Sequence, residues 1–225
     1  LVRSRGLGDV YKRQEYAKHV QNHGNLGKLY PKYKYGVEGD TPSFLYLMPN
    51  GLNDPLVPNQ VSWGGYFEWG ISPDDSTFAY NNHKGKAKQI CNNYASYFYS
   101  ATFNNFAARM DWASEGKGNR NPIIALNGNV GIDLVHIEKK VEETIVLDAS
   151  KSLDPENDPL AFKWWVMSAA GTYSGKVAIE NKNLDKILID LPSDSAGKTI
   201  HIICEVTDKG MPSLTSYRRI IITPK

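Results

Sequence analysis

The segment DPENDP, at residues 154–159, places acidic and amide side chains in one short turn, and a further acid, Asp208, follows a later run of strand-forming residues. Hard cations such as calcium take about six to eight oxygen ligands from loops of this composition. Asp154, Asp158 and Asp208 are therefore candidate calcium ligands. The alternative, which the pattern favours, is a set of Asx turns in which the carboxylates accept hydrogen bonds from nearby backbone amides.

A second candidate site is the segment SWGGYFEWG, at residues 62–70. Trp63, Tyr66 and Trp69 lie among glycines in a segment that we predict to be a loop. Aromatic rings stack on the apolar faces of sugar rings, and glycines let a flat ligand approach the backbone. These three residues are therefore candidate carbohydrate contacts. The alternative is that they only anchor an irregular loop to the core.

Composition and charge exclude several classes of protein. The chain has 225 residues, of which 41% are hydrophobic and 22% charged, as in ordinary globular proteins. A formal net charge of +2 gives no electrostatic footprint for nucleic acid, and no apolar run is long enough for a membrane-spanning helix. We therefore expect neither a nucleic-acid nor a membrane partner. The sequence also contains no motif of a serine hydrolase, zinc protease, phosphate-binding loop or paired-cysteine metal site, so no catalytic residue is identified.

Two parts with different patterns must position these residues. Apolar residues recur at steps of mostly three and four over residues 86–114, which predicts a long helix. A polar, glycine-bearing linker follows at residues 116–122, and beyond it short alternating runs separated by turn signals predict a β-sandwich. The predicted strands are residues 143–149, 161–167, 186–191, 199–206 and 217–223. We place the two domains at residues 15–118 and 119–225.

The strand predicted at residues 161–167 puts Trp164 and Trp165 on opposite faces of the sheet. Trp164 is expected in the core, whereas Trp165 either packs on a neighbouring domain or stacks on a carbohydrate ligand. Cys204 alternates with apolar strand residues and is expected to be a small buried side chain. We expect no disulfide between Cys204 and Cys91.

Residues 1–14, LVRSRGLGDVYKRQ, contain neither the apolar stretch of a signal peptide nor an apolar period. They resemble translated adapter sequence at the broken ends of metagenomic gene models. We therefore expect this segment to be non-native and the gene model to be truncated at its N-terminus. The alternative is a functional basic arm.

Three blocks together resemble a known family: residues 38–65 (EGDTPSFLYLMPNGLNDPLVPNQVSWGG), residues 104–112 (NNFAARMDW) and the predicted sandwich. They are similar to the C-terminal portion of a family of secreted bacterial cellulose-binding proteins with a nucleoside hydrolase-like domain. The acidic turn and the segment VTDKGMPSL, at residues 206–214, resemble PKD-type and cadherin-like extracellular domains. The resemblance implies an α/β fragment, the C-terminal part of a nucleoside hydrolase-like domain, followed by an all-β immunoglobulin-like sandwich.

The same resemblance implies one more calcium ligand. Nucleoside hydrolases contribute a late aspartate to their calcium site, and GDTPSFLYL places Asp40 at that position. Gly39 stands where those enzymes have a histidine that helps to bind ribose, which puts nucleoside hydrolysis in doubt. Asp40 before Thr41 and Pro42 also suits a helix N-cap. The Asp-rich calcium motif found near the N-terminus of these enzymes does not occur in this sequence.

The leading hypothesis is an extracellular protein that binds a polysaccharide such as cellulose or another plant cell-wall glycan. The resemblance implies a secreted or periplasmic location. The alternative is a calcium-dependent N-glycosyl or glycosyl hydrolase whose main active-site motif lies outside this sequence, in which case this chain alone is expected to be inactive. A third hypothesis is a sandwich that serves only as a structural spacer. The oligomeric state is not predicted.

Overall fold

The computed structural model describes residues 14, 16–30, 45, 47–54, 56–57, 59–72 and 76–225. Asp40, the calcium ligand implied by the resemblance, lies outside these residues. Within them, no helix is both long enough and apolar enough to cross a membrane.

One long helix organises the part of the chain before residue 116. A π-helical turn (Ala17–Gln21) and a short helix α1 (Gly24–Leu29) pack on helix α2 (Gly85–Glu115), which occupies the segment predicted to be helical. The α2 helix ends at Gly116, whose φ of 65° lies in the left-handed region that favours glycine. Ahead of α2, strands β1 (Glu68–Ile71) and β2 (Phe78–Asn81) form an antiparallel hairpin.

Besides a short 3-10 helix (Ser193–Ser195), the part after the linker contains nine strands. They are β3 (Ala125–Leu126), β4 (Asn129–Val130), β5 (Val135–Lys139), β6 (Thr144–Asp148), β7 (Ala161–Val166), β8 (Ile179–Glu180), β9 (Lys186–Asp190), β10 (Ile200–Thr207) and β11 (Thr215–Pro224). The five predicted strands correspond to β6, β7, β9, β10 and β11, while β3, β4, β5 and β8 were not predicted. The strands β3, β4 and β8 have two residues each, too short to show an alternating pattern.

Seven of the nine strands form two sheets. One has the order β5-β11-β10-β7 and the other β6-β9-β8, while β3 and β4 pair as a small hairpin. The β11–β5 pair is parallel and the remaining pairs are antiparallel. The sequence predicts an α/β segment followed by an all-β sandwich, and the structure confirms the coarser statement that the chain is mixed α/β with most of its strands in sheets.

The core between the two sheets follows the strand period of two. Ile202, Cys204 and Val206 of β10 point into it together with Trp164 of β7, which is 1% exposed. Burial raises the pKa of the Cys204 thiol, and both cysteines are free. Trp164 therefore has the core position that the sequence predicts.

The opposite face of the β5-β11-β10-β7 sheet is buried as well. Ile203, Tyr217 and Trp165 project from it and pack against α2 and the preceding loop, in a cluster with Trp63 and Phe98. A sheet covered on both faces reads as a continuous apolar run, and all of the first five residues of β10 are buried. The apolar face of α2 therefore packs on the sandwich.

Candidate functional site

The β1–β2 hairpin carries an unusual exposed surface. Its register pairs Trp69 with Tyr80 and Ile71 with Phe78. Because side chains alternate along a strand, these four residues share one face of the hairpin. We call this face the aromatic hairpin.

The rings of the aromatic hairpin lie largely in solvent. Trp69 is 62% exposed, Phe78 64% and Tyr80 56%. They are nevertheless ordered against one another, since the ring centroids of Trp69 and Phe78 lie 6.2 Å apart at 25° and those of Trp69 and Tyr80 5.2 Å apart at 66°. Large apolar side chains grouped at the surface mark binding sites more often than single exposed ones do.

The base of the hairpin is fixed to α2. A Cβ on Gly65 would lie 2.9 Å from Cys91 Sγ, so only glycine fits where the loop crosses the helix. On the other side of the hairpin, Asn82 Nδ2 donates to Cys91 Sγ at 3.1 Å. Tyr66 donates its hydroxyl hydrogen to Glu68 Oε1 at 2.9 Å. The long helix therefore holds both ends of the hairpin while its aromatic face stays open.

The predicted carbohydrate contacts occupy three different environments. Trp69 lies on the aromatic hairpin, and Tyr66 is half-buried at its base. Trp63 is 7% exposed, packs edge-on against Tyr217 with centroids 6.0 Å apart, and donates from Nε1 to the Tyr217 hydroxyl at 3.4 Å. Trp63 therefore holds the loop against the sandwich and offers little of its ring to a ligand.

Trp165, the fourth candidate, packs on α2. Its ring centroid lies 6.2 Å from that of Tyr94 and 5.2 Å from that of Tyr97. Its Nε1 donates to Glu205 Oε2 at 3.1 Å, and the Tyr97 hydroxyl donates to the same oxygen at 2.7 Å. Burial and the nearby Glu205 carboxylate raise the pKa of Tyr97. Of the two alternatives for Trp165, packing on a neighbouring domain is observed, while its ring still borders a groove that remains open to solvent.

Phe78 and Tyr80 were not identified from the sequence. The missed signal is the alternation in FAY, residues 78–80, which matches that of WGI at residues 69–71 in the partner strand. Glycines and prolines, which are typical of loops, surround these residues. The sequence pattern therefore indicated a loop and not two short strands.

A buried polar network joins the loop before the hairpin to the sandwich. Arg219, fully buried, donates from Nη1 to Leu52 O at 3.1 Å, from Nη2 to Gln60 Oε1, and from Nε to His201 Nδ1 at 3.1 Å. Burial and the Arg219 charge lower the pKa of His201 to about 3. Burial also lowers the pKa of Arg219 to about 10. His201 is therefore neutral and acts as an acceptor at Nδ1.

The candidate calcium ligands of the sandwich are engaged in local turns. Asp154 Oδ1 accepts hydrogen bonds from the backbone amides of Glu156 and Asp158, at 2.9 and 3.0 Å. Asp208 Oδ1 accepts from those of Gly210 and Leu214, at 3.0 and 2.8 Å. These are the Asx-turn contacts of the alternative interpretation.

Two features of this cluster do not follow from turn geometry. Asp154 Oδ2 is buried without a hydrogen-bond partner among the described residues. Burial raises the pKa of Asp208, and the charge of Asp154 raises it further. Across the described part of the chain, no three His, Cys, Asp or Glu side chains converge as a metal site. Calcium binding at Asp154, Asp158 and Asp208 stays a prediction.

Family models match two separate parts of the chain. A model described as "Cellulose-binding protein Sde0182, C-terminal domain" matches residues 144–224, and one described as "Cellulose-binding Sde182, nucleoside hydrolase-like domain" matches residues 6–67. The chain belongs to this family of cellulose-binding proteins. The family resemblance expected from residues 38–65 and the sandwich is confirmed.

A solved structure agrees with both matches. It is a nucleoside hydrolase-related hypothetical protein from Saccharophagus degradans that is described as associated with carbohydrate metabolism, with 34% identity and a TM-score of 0.81. The alignment covers 95% of this chain and 54% of that protein, so the chain spans about half of its relative's length.

Two further structural matches are weak. One is the PKD domain of the KIAA 1837 protein, with 18% identity, a TM-score of 0.30, and an alignment that covers 40% of this chain and 80% of that domain. The other is the titin M3 domain, with 12% identity, a TM-score of 0.26, and an alignment that covers 48% of this chain and 99% of that domain. Similarities at this level carry no conclusion here. The curated proteins gave no match.

Proposed function

We propose that this protein binds a polysaccharide, cellulose or a related plant cell-wall glycan, through the aromatic hairpin. The single observation that carries the proposal is the set of three exposed rings, Trp69, Phe78 and Tyr80, ordered on one face of a two-stranded hairpin. Each ring offers an apolar surface that matches the C–H face of a sugar ring. The description of the family as cellulose-binding supports this choice of ligand.

The proposal also includes the surroundings of the hairpin. The sandwich, which we propose to be of the immunoglobulin-like type, supports α2 from one side and thereby the base of the hairpin. Cell-wall glycans lie outside the cytoplasm, so a secreted or periplasmic location accompanies this function. The hydrolase alternative depends on Asp40 and on sequence outside this chain, and no described residue favours it.

The test is retention on insoluble cellulose. Trp69→Ala and Tyr80→Ala are expected to lower the retained fraction severalfold, since each removes apolar surface that a sugar ring would cover, at about 25 cal/mol per Å². Leu184→Ala is the matched control, because Leu184 is also exposed, at 56%, and lies on the sandwich away from the hairpin. Unchanged retention of both hairpin variants, with unchanged thermal stability, would refute the proposal.

A further inference from the structure

A groove of about 660 Å³ lies between α2 and the sandwich, a volume typical of pockets that hold small-molecule ligands, about 300–1,000 Å³. Tyr94 and Tyr97 line it from the helix, Trp165 and Tyr173 from the sandwich, and Tyr66 from the hairpin base. Aromatic side chains therefore face this space from three separate segments of the chain.

Three of the rings that border the groove are held in place by contacts outside it. Tyr97 and Trp165 both donate to Glu205 Oε2, at 2.7 and 3.1 Å. The Tyr173 hydroxyl donates to Asp194 Oδ1 at 2.7 Å. A surface whose rotamers are already fixed loses little conformational entropy when a ligand binds.

The rim of the groove offers unused hydrogen-bonding groups. Asn93, Ser168 and Ser174 are exposed there and have no side-chain hydrogen bond to any of the described residues. Lys86 is exposed at one end, and the described lining contains no carboxylate. Fixed aromatic walls with amide and hydroxyl groups at the rim suit a neutral ligand that has many hydroxyl groups and apolar ring faces.

The groove begins where the hairpin joins the helix. Tyr66 lies two residues before the first residue of β1, and Lys86 lies in the first turn of α2, just after β2. We propose that this interdomain groove is a second glycan subsite, which takes a single neutral glucan chain next to the aromatic hairpin. This inference rests on the proposed function, because it uses the same class of ligand.

The test compares a soluble with an insoluble ligand. Isothermal titration uses a soluble β-1,4-linked glucose hexasaccharide, and retention uses insoluble cellulose. The double variant Asn93→Ala/Ser174→Ala is expected to weaken hexasaccharide binding by about tenfold, since two hydrogen bonds are lost, with cellulose retention nearly unchanged. Asn92→Ala is the matched control, because Asn92 is an exposed neighbour on the same helix that does not line the groove.

The outcomes separate the two proposals. If Trp69→Ala weakens hexasaccharide binding and the double variant does not, the groove is not the subsite, and the hairpin function stands. Retention of the wild type on cellulose without any hexasaccharide binding also overturns the groove. If the wild type is not retained on cellulose but binds the hexasaccharide in a way that depends on Asn93, the result supports the groove as a glycan site and refutes the proposal that the hairpin binds cellulose. Preference for a galacturonate oligomer, abolished by Lys86→Ala, overturns the assignment of a neutral ligand.

Discussion

Two aromatic surfaces of this protein use the same residue types in opposite ways. The interdomain cluster, formed by Trp63, Tyr94, Phe98, Trp165 and Tyr217, joins α2 to the sandwich. The aromatic hairpin lies in solvent. Trp63 and Trp69 are six residues apart in the sequence, yet their exposures are 7% and 62%.

The difference arises in the backbone between these two tryptophans. The backbone amide of Trp63 donates to Asn53 Oδ1 at 3.3 Å, and its ring contacts the sandwich through Tyr217. At Gly65, with a φ of 107°, the chain turns across Cys91 and leaves the sandwich. The path of the backbone therefore decides the exposure of Trp63 and Trp69, and residue type alone carries no such information. Tyr66, just beyond Gly65, is still half-buried against the interdomain cluster, so the exposed surface begins only in β1.

The largest expected effect comes from a matched pair of phenylalanines. Phe98 is 2% exposed in the interdomain cluster and Phe78 is 64% exposed on the aromatic hairpin. Phe98→Ala leaves a cavity and is expected to lower the free energy of unfolding by about 3–5 kcal/mol. Phe78→Ala is expected to change it by less than about 0.5 kcal/mol, while cellulose retention falls. Denaturant unfolding monitored by tryptophan fluorescence measures the free energy of unfolding of both variants.

The comparison fails if the two phenylalanine variants lose similar stability. That result would mean that the hairpin packs in solution as the interdomain cluster does, and its rings would then be unavailable to a glycan. Full cellulose retention by Phe78→Ala would instead restrict the binding surface to Trp69 and Tyr80.

A smaller effect is expected from acid, at the buried polar network of Arg219 and His201. The pKa of His201 is lowered to about 3 in the folded protein by burial and by Arg219, with a smaller contribution from His136. Between about pH 6.5 and 3 the unfolded chain binds a proton at this histidine and the folded chain does not. Stability therefore falls as the pH falls, by about 2–3 kcal/mol between pH 7 and 4.5.

Chemical denaturation at several pH values measures this slope. His201→Gln keeps an acceptor for Arg219 and removes the titrating group, so the variant should lose most of the slope. His201 lies in β10 and not in the aromatic hairpin, so cellulose retention of the folded protein should stay level to pH 5. A variant that keeps the full slope would assign it to other groups.

The elements with a strong period were predictable from the sequence. The helix expected over residues 86–114 is Gly85–Glu115, and β10, expected over residues 199–206, is Ile200–Thr207. Both are long enough for the apolar period to appear. β5 (Val135–Lys139) was missed because it pairs as an edge strand beside β11, and only two of its five residues are half-buried and none fully buried.

The site was predictable only in part, because exposure is a tertiary property. The sequence located an aromatic segment at residues 62–70, but the placement of Trp63 depends on Tyr217, more than 150 residues later. Phe78 and Tyr80 join Trp69 only through strand pairing. The groove is formed by α2 and the sandwich together, so no local pattern encodes it.

The smallest expected effects come from two aspartates of the acidic turn that differ in burial, as Trp63 and Trp69 do. Asp154 is 5% exposed and accepts two backbone amides, whereas Asp158 is half-buried and its backbone amide donates to Asp154. Asp154→Ala is expected to cost about 1 kcal/mol, since relief of repulsion with Asp208 offsets part of the lost hydrogen bonding. Asp158→Ala is expected to change the free energy of unfolding by less than about 0.5 kcal/mol. Thermal unfolding of both variants measures the difference.

Calcium decides between the two interpretations of this turn. The unpartnered Asp154 Oδ2 and the raised pKa of Asp208 favour a cation, because a bound positive charge would relieve both. The two carboxylates already accept hydrogen bonds from four backbone amides, which favours Asx turns. We expect millimolar calcium to leave the melting temperature of the wild type unchanged. A rise that Asp154→Ala abolishes would instead show that the turn binds calcium, since a ligand that binds only the folded state raises its stability.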